Sequence, residues 1–354
     1  MKYYETNFID YIKSVNEFNL HEDKKKYFEK ISDDFDKLSN IIFTGPSGIG
    51  KYSQVLSIIQ KFSQSDLKYD KKITCYFEKL NYTYRISDIH YEIDMSLLGC
   101  NSKQLWNEIF FQIIDIVTIK PIKNAIILCK NFHSINNELL ETFYSYMQHT
   151  KINPNVNIKF FILTENISFI PYNIINSSVR VNFKRPSMES YKKLFENNRN
   201  IQNNELINSD FLNRIISCNR FNNNCKSLTV LNKIENQNIV NIKELKYFDK
   251  VDQEIPPELF DTITSILIEE IINFKTSSLL LIRDSLYDIL TYNIDIYECI
   301  WYIFYYLIDN GYLNKDEDIL RNTFLQLKYF NNNYRPIYHL ERMFYNIVSK
   351  IHNL

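Results

Sequence analysis

Glycine and proline are scarce in this 354-residue sequence, which contains only 5 glycines and 8 prolines. The sequence also has no apolar run of the roughly 18 residues that a membrane-spanning helix needs. Its beginning mixes charged with aromatic side chains and has no small-residue cleavage site, which excludes a typical secretory signal peptide. We therefore expect an intracellular protein without membrane contact. The hydrophobic fraction of 45% is that of a globular protein.

The six cysteines are scattered, with no two at the C-x-x-C spacing and no histidine at metal-ligand spacing. Reduced thiols and the absence of a zinc site are therefore expected. The formal net charge is −1, so contact with nucleic acid would require a local basic surface. The lysine runs at 24–26 and 71–72 are candidates for phosphate contacts, although such runs are more often solvated faces.

Three of the five glycines lie within six residues, between an apolar strand pattern and a helical pattern. The segment fits the G-x-x-x-x-G-K phosphate loop, in which backbone N–H groups wrap phosphates and the lysine adds a positive charge. A glycine-rich turn without a ligand is the alternative, but the flanking strand and helix favour a nucleotide site. The predicted nucleotide-binding residues are Gly45, Pro46, Ser47, Gly48, Ile49, Gly50, Lys51 and Tyr52, and the expected ligand is ATP or ADP.

The metal side of this site lacks its usual residues. Tyr52 stands where a hydrolysing phosphate-loop enzyme needs a Ser or Thr hydroxyl for Mg²⁺. The strand pattern at 125–128 should lead into Asp-Glu, but Lys130 and Asn131 stand at those positions and no carboxylate follows before Glu138. We therefore predict no catalytic residue and no metal ligand, and a site that binds phosphates without activating water.

His133 and Lys130 are two further candidates near the end of that strand. A lone histidine in a loop is more often structural or solvated than a general base, so His133 is not assigned a catalytic role. As a hypothesis, the Lys130 ammonium occupies part of the space of a metal ion and neutralises bound phosphates without activating water.

Short apolar runs alternate with helical patterns up to about residue 185, which predicts a parallel sheet with helices on both faces. The predicted strands after the phosphate loop lie at 73–77, 89–95, 125–128, 160–163 and 179–183, and the helices at 52–62, 104–116 and 138–148. Strand patterns stop at Pro186, and paired prolines at 256 and 257 mark a linker. Five more helices are predicted at 260–274, 277–290, 297–308, 317–329 and 338–351. We predict three domains, at 1–185, 186–250 and 251–354.

Four stretches resemble the eukaryotic replication factor C small subunits, which are AAA+ ATPases of the sliding-clamp loader. They are the phosphate loop at 45–51, YEIDMS followed by LLG at 91–99, DQEIP at 252–256 and IYHLE at 337–341. Together they span nearly the whole chain, which is most similar to the small subunit regarded as catalytically inactive. The resemblance implies an α/β AAA+ P-loop domain, a small helical lid and an all-helical collar that mediates oligomerisation.

The chain departs from this family at the arginine finger, which in the family reaches into a neighbour's ATP site from a Ser-Arg-Cys motif. The matching residues read Ser-Ser-Val, so Ser178 is a degenerate arginine-finger position, and Arg180 lies about 7 Å further along the strand. The sensor arginine of the lid matches Cys225, and the first sensor residue falls at Thr164 or Asn166. Without the finger, the subunit is not expected to stimulate its neighbour.

The resemblance also implies partners. These are the other subunits of a hetero-pentameric clamp loader, the sliding clamp, and primer–template DNA that is contacted through its phosphates. An aromatic stripe is then either collar packing between subunits or the core of one domain; it consists of Tyr297, Trp301, Phe304, Tyr305 and Leu307. The helical pattern at 104–111 is either a plug that grips the clamp or a buried amphipathic helix.

Two other functions are compatible with a phosphate loop. The main alternative is an active DNA-dependent ATPase of the same fold, with metal ligands from unexpected positions. A nucleoside kinase is disfavoured by Tyr52 and by the helical C-terminal third. The abundance of Asn, Ile and Lys indicates an AT-rich coding sequence, which suits a large DNA virus. The expected location is the nucleus or, for a viral protein, a replication site in the host cytoplasm.

Overall fold

The computed structural model describes residues 7–184 apart from 33, 78–79 and 153–155, the single residues 186 and 190, and residues 259–353 apart from 275–278, 293, 315–316 and 332–334. The chain divides into two compact units, Met1–Ser187 and Met188–Leu354. Almost all of the predicted lid at 186–250, including Cys225, and the linker at 252–256 lie outside the described residues. The division into three domains therefore stays a prediction.

The first unit is built on a mixed seven-stranded sheet. Its strands are β1 (Asn40–Thr44), β2 (Lys71–Phe77), β3 (Leu80–Ile86), β4 (His90–Asp94), β5 (Asn124–Lys130), β6 (Asn157–Thr164) and β7 (Ser178–Asn182). They lie in the order β2-β3-β4-β5-β6-β1-β7. The five strands from β4 to β7 pair in parallel, whereas β2, β3 and β4 pair antiparallel. The phosphate loop follows β1, and β6 separates β1 from β5.

Helices cover both faces of this sheet. They are α1 (Phe8–Glu17), α2 (Glu22–Glu29), α3 (Lys51–Gln60), α4 (Ser102–Ile119), α5 (Asn137–Ile152) and α6 (Tyr172–Asn176). The side chains of β5 alternate between two cores because successive residues of a strand face opposite sides. Ile126 and Leu128 pack in one core with Val55 of α3, and Ile127 packs in the other core with Trp106 of α4. Position 130 has the same parity as 126 and 128, so it belongs to the α3 face.

The sheet with helices on both faces and the phosphate loop between β1 and α3 confirm the predicted α/β P-loop fold class, and almost all of the predicted lid lies outside the described residues. The predicted strands and helices of the first unit are present with shifted ends. Strand β3 was not predicted, and its hairpin with β2 makes one edge of the sheet antiparallel. Helices α1 and α2 were not predicted either, although Asp10 accepts a hydrogen bond from the Asn7 backbone N–H at 3.3 Å, as expected at a helix start.

All the elements described in the second unit are helices. They are α7 (Leu259–Ile272), α8 (Leu279–Thr291), α9 (Ile296–Asp309), α10 (Glu317–Asn331) and α11 (Ile337–His352), each within two residues of its predicted bounds. Asp295 begins α9 by accepting from the N–H groups of Tyr297 and Glu298 at 3.0 and 3.1 Å. These helices bury one apolar core, as expected for a helical collar domain. Among the described residues, no helix is long and apolar enough to cross a membrane.

The predicted aromatic stripe divides between this core and the surface. Phe304 and Leu307 are buried. Trp301 and Tyr305 are 40% and 69% exposed. The core interpretation therefore fits Phe304 and Leu307, while Trp301 and Tyr305 of the stripe are accessible on the surface of α9.

Candidate nucleotide site

The phosphate loop joins the carboxyl end of β1 to the first turn of α3. A Cβ atom at Gly45 would lie 2.6 Å from the backbone oxygen of Phe183, so this position has no room for a side chain. Gly48 and Gly50 have φ angles of +73° and +88°, a left-handed conformation that favours glycine. The loop therefore depends on its glycines, and it ends where the first N–H groups of α3 lack helical partners.

The ammonium group of Lys51 lies within this loop. Its Nζ donates to the carbonyl oxygens of Gly45 and Pro46, each at 2.6 Å. The cation is thus placed among the backbone groups that wrap phosphates in loops of this type. This geometry is compatible with the predicted nucleotide-binding segment at 45–52, which stays a prediction.

His21 ties the N-terminal segment to the loop, a contact that the sequence did not predict. Its Nε2 lies 2.8 Å from the backbone oxygen of Ile49, and because a carbonyl can only accept, Nε2 carries the proton. The ring packs against Phe183 with centroids 4.9 Å apart. Burial lowers the pKa of His21, which favours the neutral ring. The contact therefore braces the loop without adding a permanent charge.

Tyr52, the second residue of α3, directs its hydroxyl group to β4. The hydroxyl donates to Oε1 of Glu92. The Tyr52 ring lies 4.9 Å from the Tyr11 ring in an edge contact, and the Lys130 ammonium lies 4.4 Å from its centroid. Burial, reinforced by the negative charge of Glu92, raises the pKa of Tyr52, so the phenol stays protonated. Its hydroxyl proton is therefore engaged with Glu92.

Glu92 is a nearly buried carboxylate at the centre of this cluster. Its Oε2 lies 3.9 Å from Lys130 Nζ, and its Oε1 lies 3.6 Å from Nε2 of the buried His90. Burial favours a raised pKa for Glu92, but the contact with His90, the charge of Lys130 and the bond from Tyr52 outweigh it and lower the pKa. At this separation the attraction to Lys130 is about 4 kcal/mol at an effective dielectric constant of 20, offset by desolvation of the carboxylate.

Glu92 is missing from the predicted site because the expected acidic motif follows β5, whereas Glu92 lies on β4. The parallel pairing of these strands sets Glu92 beside Leu128 and Asp94 beside Lys130. A usable signal was the alternation in β4, where His90, Glu92 and Asp94 are polar and the intervening residues are not. That pattern places three polar residues on the face that α3 covers.

Asn131, the predicted counterpart of the water-activating glutamate, binds the carboxylate of Asp94. Its Nδ2 lies 3.0 Å from each carboxylate oxygen of Asp94. Asp94 also accepts from the N–H and hydroxyl groups of Ser96 at 3.1 and 2.6 Å. An amide at this position is a poor base for a water molecule, and the nearby carboxylate is held by three donors.

These residues do not fit Mg²⁺, which the fold implies. The hydroxyl at the position of the metal-binding Ser or Thr belongs to Tyr52 and is donated to Glu92. The acidic position is occupied by Lys130, whose charge would repel a divalent cation. In the described part of the chain, no group of three or more His, Cys, Asp or Glu side chains could hold a metal ion.

The positions predicted for the first sensor and the arginine finger lie within the described residues, and their roles stay predictions. The Thr164 hydroxyl donates to the backbone oxygen of Asn166 at 2.6 Å, and both residues are buried. The Ser178 hydroxyl donates to the Ile174 carbonyl at 2.9 Å. Arg180 is exposed on β7, an edge strand that pairs only with β1 within the described sheet. The predicted loss of the finger at Ser178 stays a prediction.

The other sequence candidates lie apart from this cluster. His133 Nε2 is 3.7 Å from a carboxylate oxygen of Glu165, so the imidazole has an acidic neighbour. The lysines at 25–26 and 71–72 are exposed, and Lys24 pairs with Asp23 at 3.2 Å. Their proposed contacts with DNA phosphates remain untested.

The helical pattern at 104–111 lies in α4 and packs into the core of the first unit. Leu105, Trp106, Ile109 and Phe110 are at most 2% exposed, whereas Phe111 is 43% exposed. These buried side chains match the interpretation as an amphipathic core helix. They do not form an accessible apolar plug.

Several AAA+ ATPases of known structure are similar to the chain. The RuvB Holliday junction branch migration motor of Thermotoga maritima is 14% identical with a TM-score of 0.41, over 84% of this chain and 89% of that chain. The AAA domain of FIGL-1 is 14% identical with a TM-score of 0.36, over 65% and 75% of the two chains. A chain of the E. coli MS115-1 HORMA:CdnC:Trip13 complex is 13% identical with a TM-score of 0.36, over 71% and 85%. No protein-family model and no curated protein matches the sequence. The strand order and the phosphate loop between β1 and α3 define an α/β P-loop fold.

Proposed function

We propose that this chain is a clamp-loader subunit of the replication factor C small-subunit type, which binds ATP or ADP at residues 45–52 without hydrolysing it. The clamp-loader role is supported by the four sequence stretches that resemble this family, and the absence of hydrolysis is supported by the mutual engagement of Tyr52, Glu92 and Lys130. A complete phosphate loop supports binding, and the occupied metal side supports the absence of turnover. Bound nucleotide would stabilise the folded chain by mass action.

The alternative function, an active DNA-dependent ATPase, is favoured by one observation. Glu92 is a carboxylate within the site, and it comes from an unexpected strand. Its interaction with Tyr52 and Lys130 weighs against a catalytic role, because releasing it would leave the Lys130 charge without its partner.

Turnover and binding measured on the same purified full-length chain separate these functions. We expect ATP and ADP to bind, and ATP turnover with primer–template DNA to equal that of a Lys51→Ala control. Turnover of about 1 s⁻¹ or more that Lys51→Ala abolishes would identify an active ATPase instead.

The assembly is the finer part of the proposal. A hetero-pentamer with the sliding clamp and DNA as partners is supported by the family resemblance and by the exposed Trp301 and Tyr305 of α9. Purification of the tagged chain from its native source, followed by native mass spectrometry, is the test. We expect four other AAA+ subunits in a complex that binds a clamp. A homo-oligomer with no other AAA+ chain would contradict this role.

The same proposal implies that this subunit does not stimulate ATP hydrolysis by its neighbour in the hetero-pentamer. Without an arginine at Ser178, the subunit would leave its neighbour's ATP site unstimulated, so Ser178→Arg should raise the turnover of the assembled complex. An unchanged turnover would show that the sheet edge formed by β7, which contains Ser178, does not face a neighbour's ATP site. The proposed location is the nucleus, or a viral replication site in the host cytoplasm, and imaging of the tagged chain at native expression tests it.

A further inference from the structure

We infer that nucleotide binding at this loop is independent of divalent cations, because the Lys130 ammonium, positioned by Glu92, supplies the positive charge on the metal side. The inference rests on the proposed nucleotide binding and extends it to the chemistry of the site. It follows from the disagreement between the residues present and the Mg²⁺ that the fold implies.

The first step is the position of the charge. Lys130 ends β5 on the sheet face that α3 covers, at the position of the metal-anchoring aspartate. Its ammonium lies 4.4 Å from the centroid of Tyr52, which directly follows the lysine of the phosphate loop. The charge is therefore next to the first turn of α3, where the phosphates of a bound nucleotide would lie.

The second step concerns which of the two paired side chains, Lys130 or Glu92, is accessible to a phosphate. The side chain of Lys130 is 31% exposed, whereas that of its ion-pair partner Glu92 is 3% exposed. An incoming phosphate therefore meets the cation before the carboxylate. Contact with Glu92 and with the Tyr52 ring restricts the lysine, which reduces the entropy lost when it binds a phosphate.

The third step is the competition with a metal ion. A divalent cation in this place would lie beside an ammonium group, and the repulsion would have to be repaid by carboxylate ligands. The two carboxylates nearby are engaged, because Glu92 accepts from Tyr52 and pairs with Lys130, and Asp94 accepts from Asn131. Adding Mg²⁺ would require breaking these contacts, whereas binding phosphate to Lys130 would not.

The test measures ADP and ATP affinity of the full-length chain by calorimetry, in excess EDTA and in millimolar Mg²⁺. We expect the affinities in the two buffers to agree within about twofold, because the proposed site provides no protein ligand for Mg²⁺. An affinity that falls more than about tenfold in EDTA would overturn the inference and leave the proposed function intact. No binding in either buffer would overturn both.

Two variants locate the charge. Lys130→Met should weaken nucleotide binding in EDTA by about tenfold or more, whereas Lys123→Met, which removes an exposed lysine just before the same strand, should not. Equal binding by Lys130→Met and the native chain would contradict the role of Lys130. The double variant Tyr52→Thr with Lys130→Asp restores a short hydroxyl and an acid. Its nucleotide binding should become Mg²⁺-dependent, and a thermal melt verifies that each variant is folded.

Discussion

The two sides of the candidate site are built from different parts of the chain. The phosphate side is one continuous segment, residues 45–51, whose backbone N–H groups and single lysine could cradle phosphates. The metal side is made by side chains that three elements bring together, Tyr52 from α3, Glu92 from β4 and Lys130 from β5. Binding and hydrolysis therefore depend on separate features, and one can be lost while the other persists.

This separation has a physical basis. A backbone cradle tolerates substitution of most side chains provided that the glycines remain, since its donors belong to the main chain. Metal coordination needs specific side-chain oxygens at specific positions, so one change from Asp to Lys inverts the local charge. In this chain Lys130 is paired with the buried Glu92. The side chains on this side of the site form an ion pair, with a hydrogen bond from the Tyr52 phenol to Glu92.

The largest loss of stability is expected from Gly45→Ala, which adds a side chain to the phosphate loop. The new Cβ would lie 2.6 Å from the Phe183 backbone oxygen, and the φ of +155° is strained for alanine, so the free energy of unfolding should fall by about 3 kcal/mol. Gly48→Ala is the matched control, because no described atom lies within 4 Å and only the φ of +73° is strained, at about 1 kcal/mol. Equal losses in denaturant unfolding would mean that crowding at Phe183 is unimportant.

Glu92→Ala tests the metal side and should have the next largest effect. It removes the acceptor of Tyr52 and the counter-charge of Lys130, at a cost of about 2 kcal/mol of unfolding free energy. The cost stays below that of a fully buried broken pair, because the partly exposed lysine can be hydrated. Glu108→Ala on the exposed side of α4 should change stability by less than about 0.5 kcal/mol. A Glu92 variant as stable as the Glu108 control would show that the cluster contributes nothing.

The difference between the two sides also explains what the sequence could predict. The phosphate loop, α3 and the five C-terminal helices were predictable, because local spacing of glycines or apolar residues determines each of them. The cluster around Glu92 was not, since the Tyr52–Glu92 contact spans 40 residues and depends on strand pairing. Strand β3 was not predictable for a similar reason. It is defined by its antiparallel pairing with β2 in a hairpin, and not by a repeat of apolar residues.

The pH dependence of stability follows from the lowered pKa of Glu92. A carboxylate with a folded-state pKa below its unfolded value stabilises the fold above the unfolded value, and that stabilisation is lost as pH falls through the folded pKa. The ordinary value is 4.5, so the stability advantage of the native chain over Glu92→Gln should be constant from neutral pH down to that value and shrink below it. Chemical denaturation of both proteins across this range is the measurement. An advantage that grows on acidification would mean that Glu92 is protonated in the fold.

Tyr52→Phe should have the smallest effect, and it separates the two sides most cleanly. The substitution removes the hydroxyl that donates to Glu92 but keeps the ring that contacts Lys130 and Tyr11. Glu92 retains Lys130 as a partner, so we expect a loss of about 1 kcal/mol in unfolding free energy. Nucleotide affinity should change by less than about twofold, because the backbone cradle is untouched.

The matched control for that variant lies one strand position away from Glu92. The Tyr91 hydroxyl is buried and has no hydrogen-bond partner among the described residues, so Tyr91→Phe should be neutral or slightly stabilising. A loss of nucleotide affinity in Tyr52→Phe alone would show that the Tyr52 hydroxyl serves the nucleotide as well as Glu92. In that case the phosphate and metal sides would act as one unit, because a single oxygen would support both binding and the ion pair.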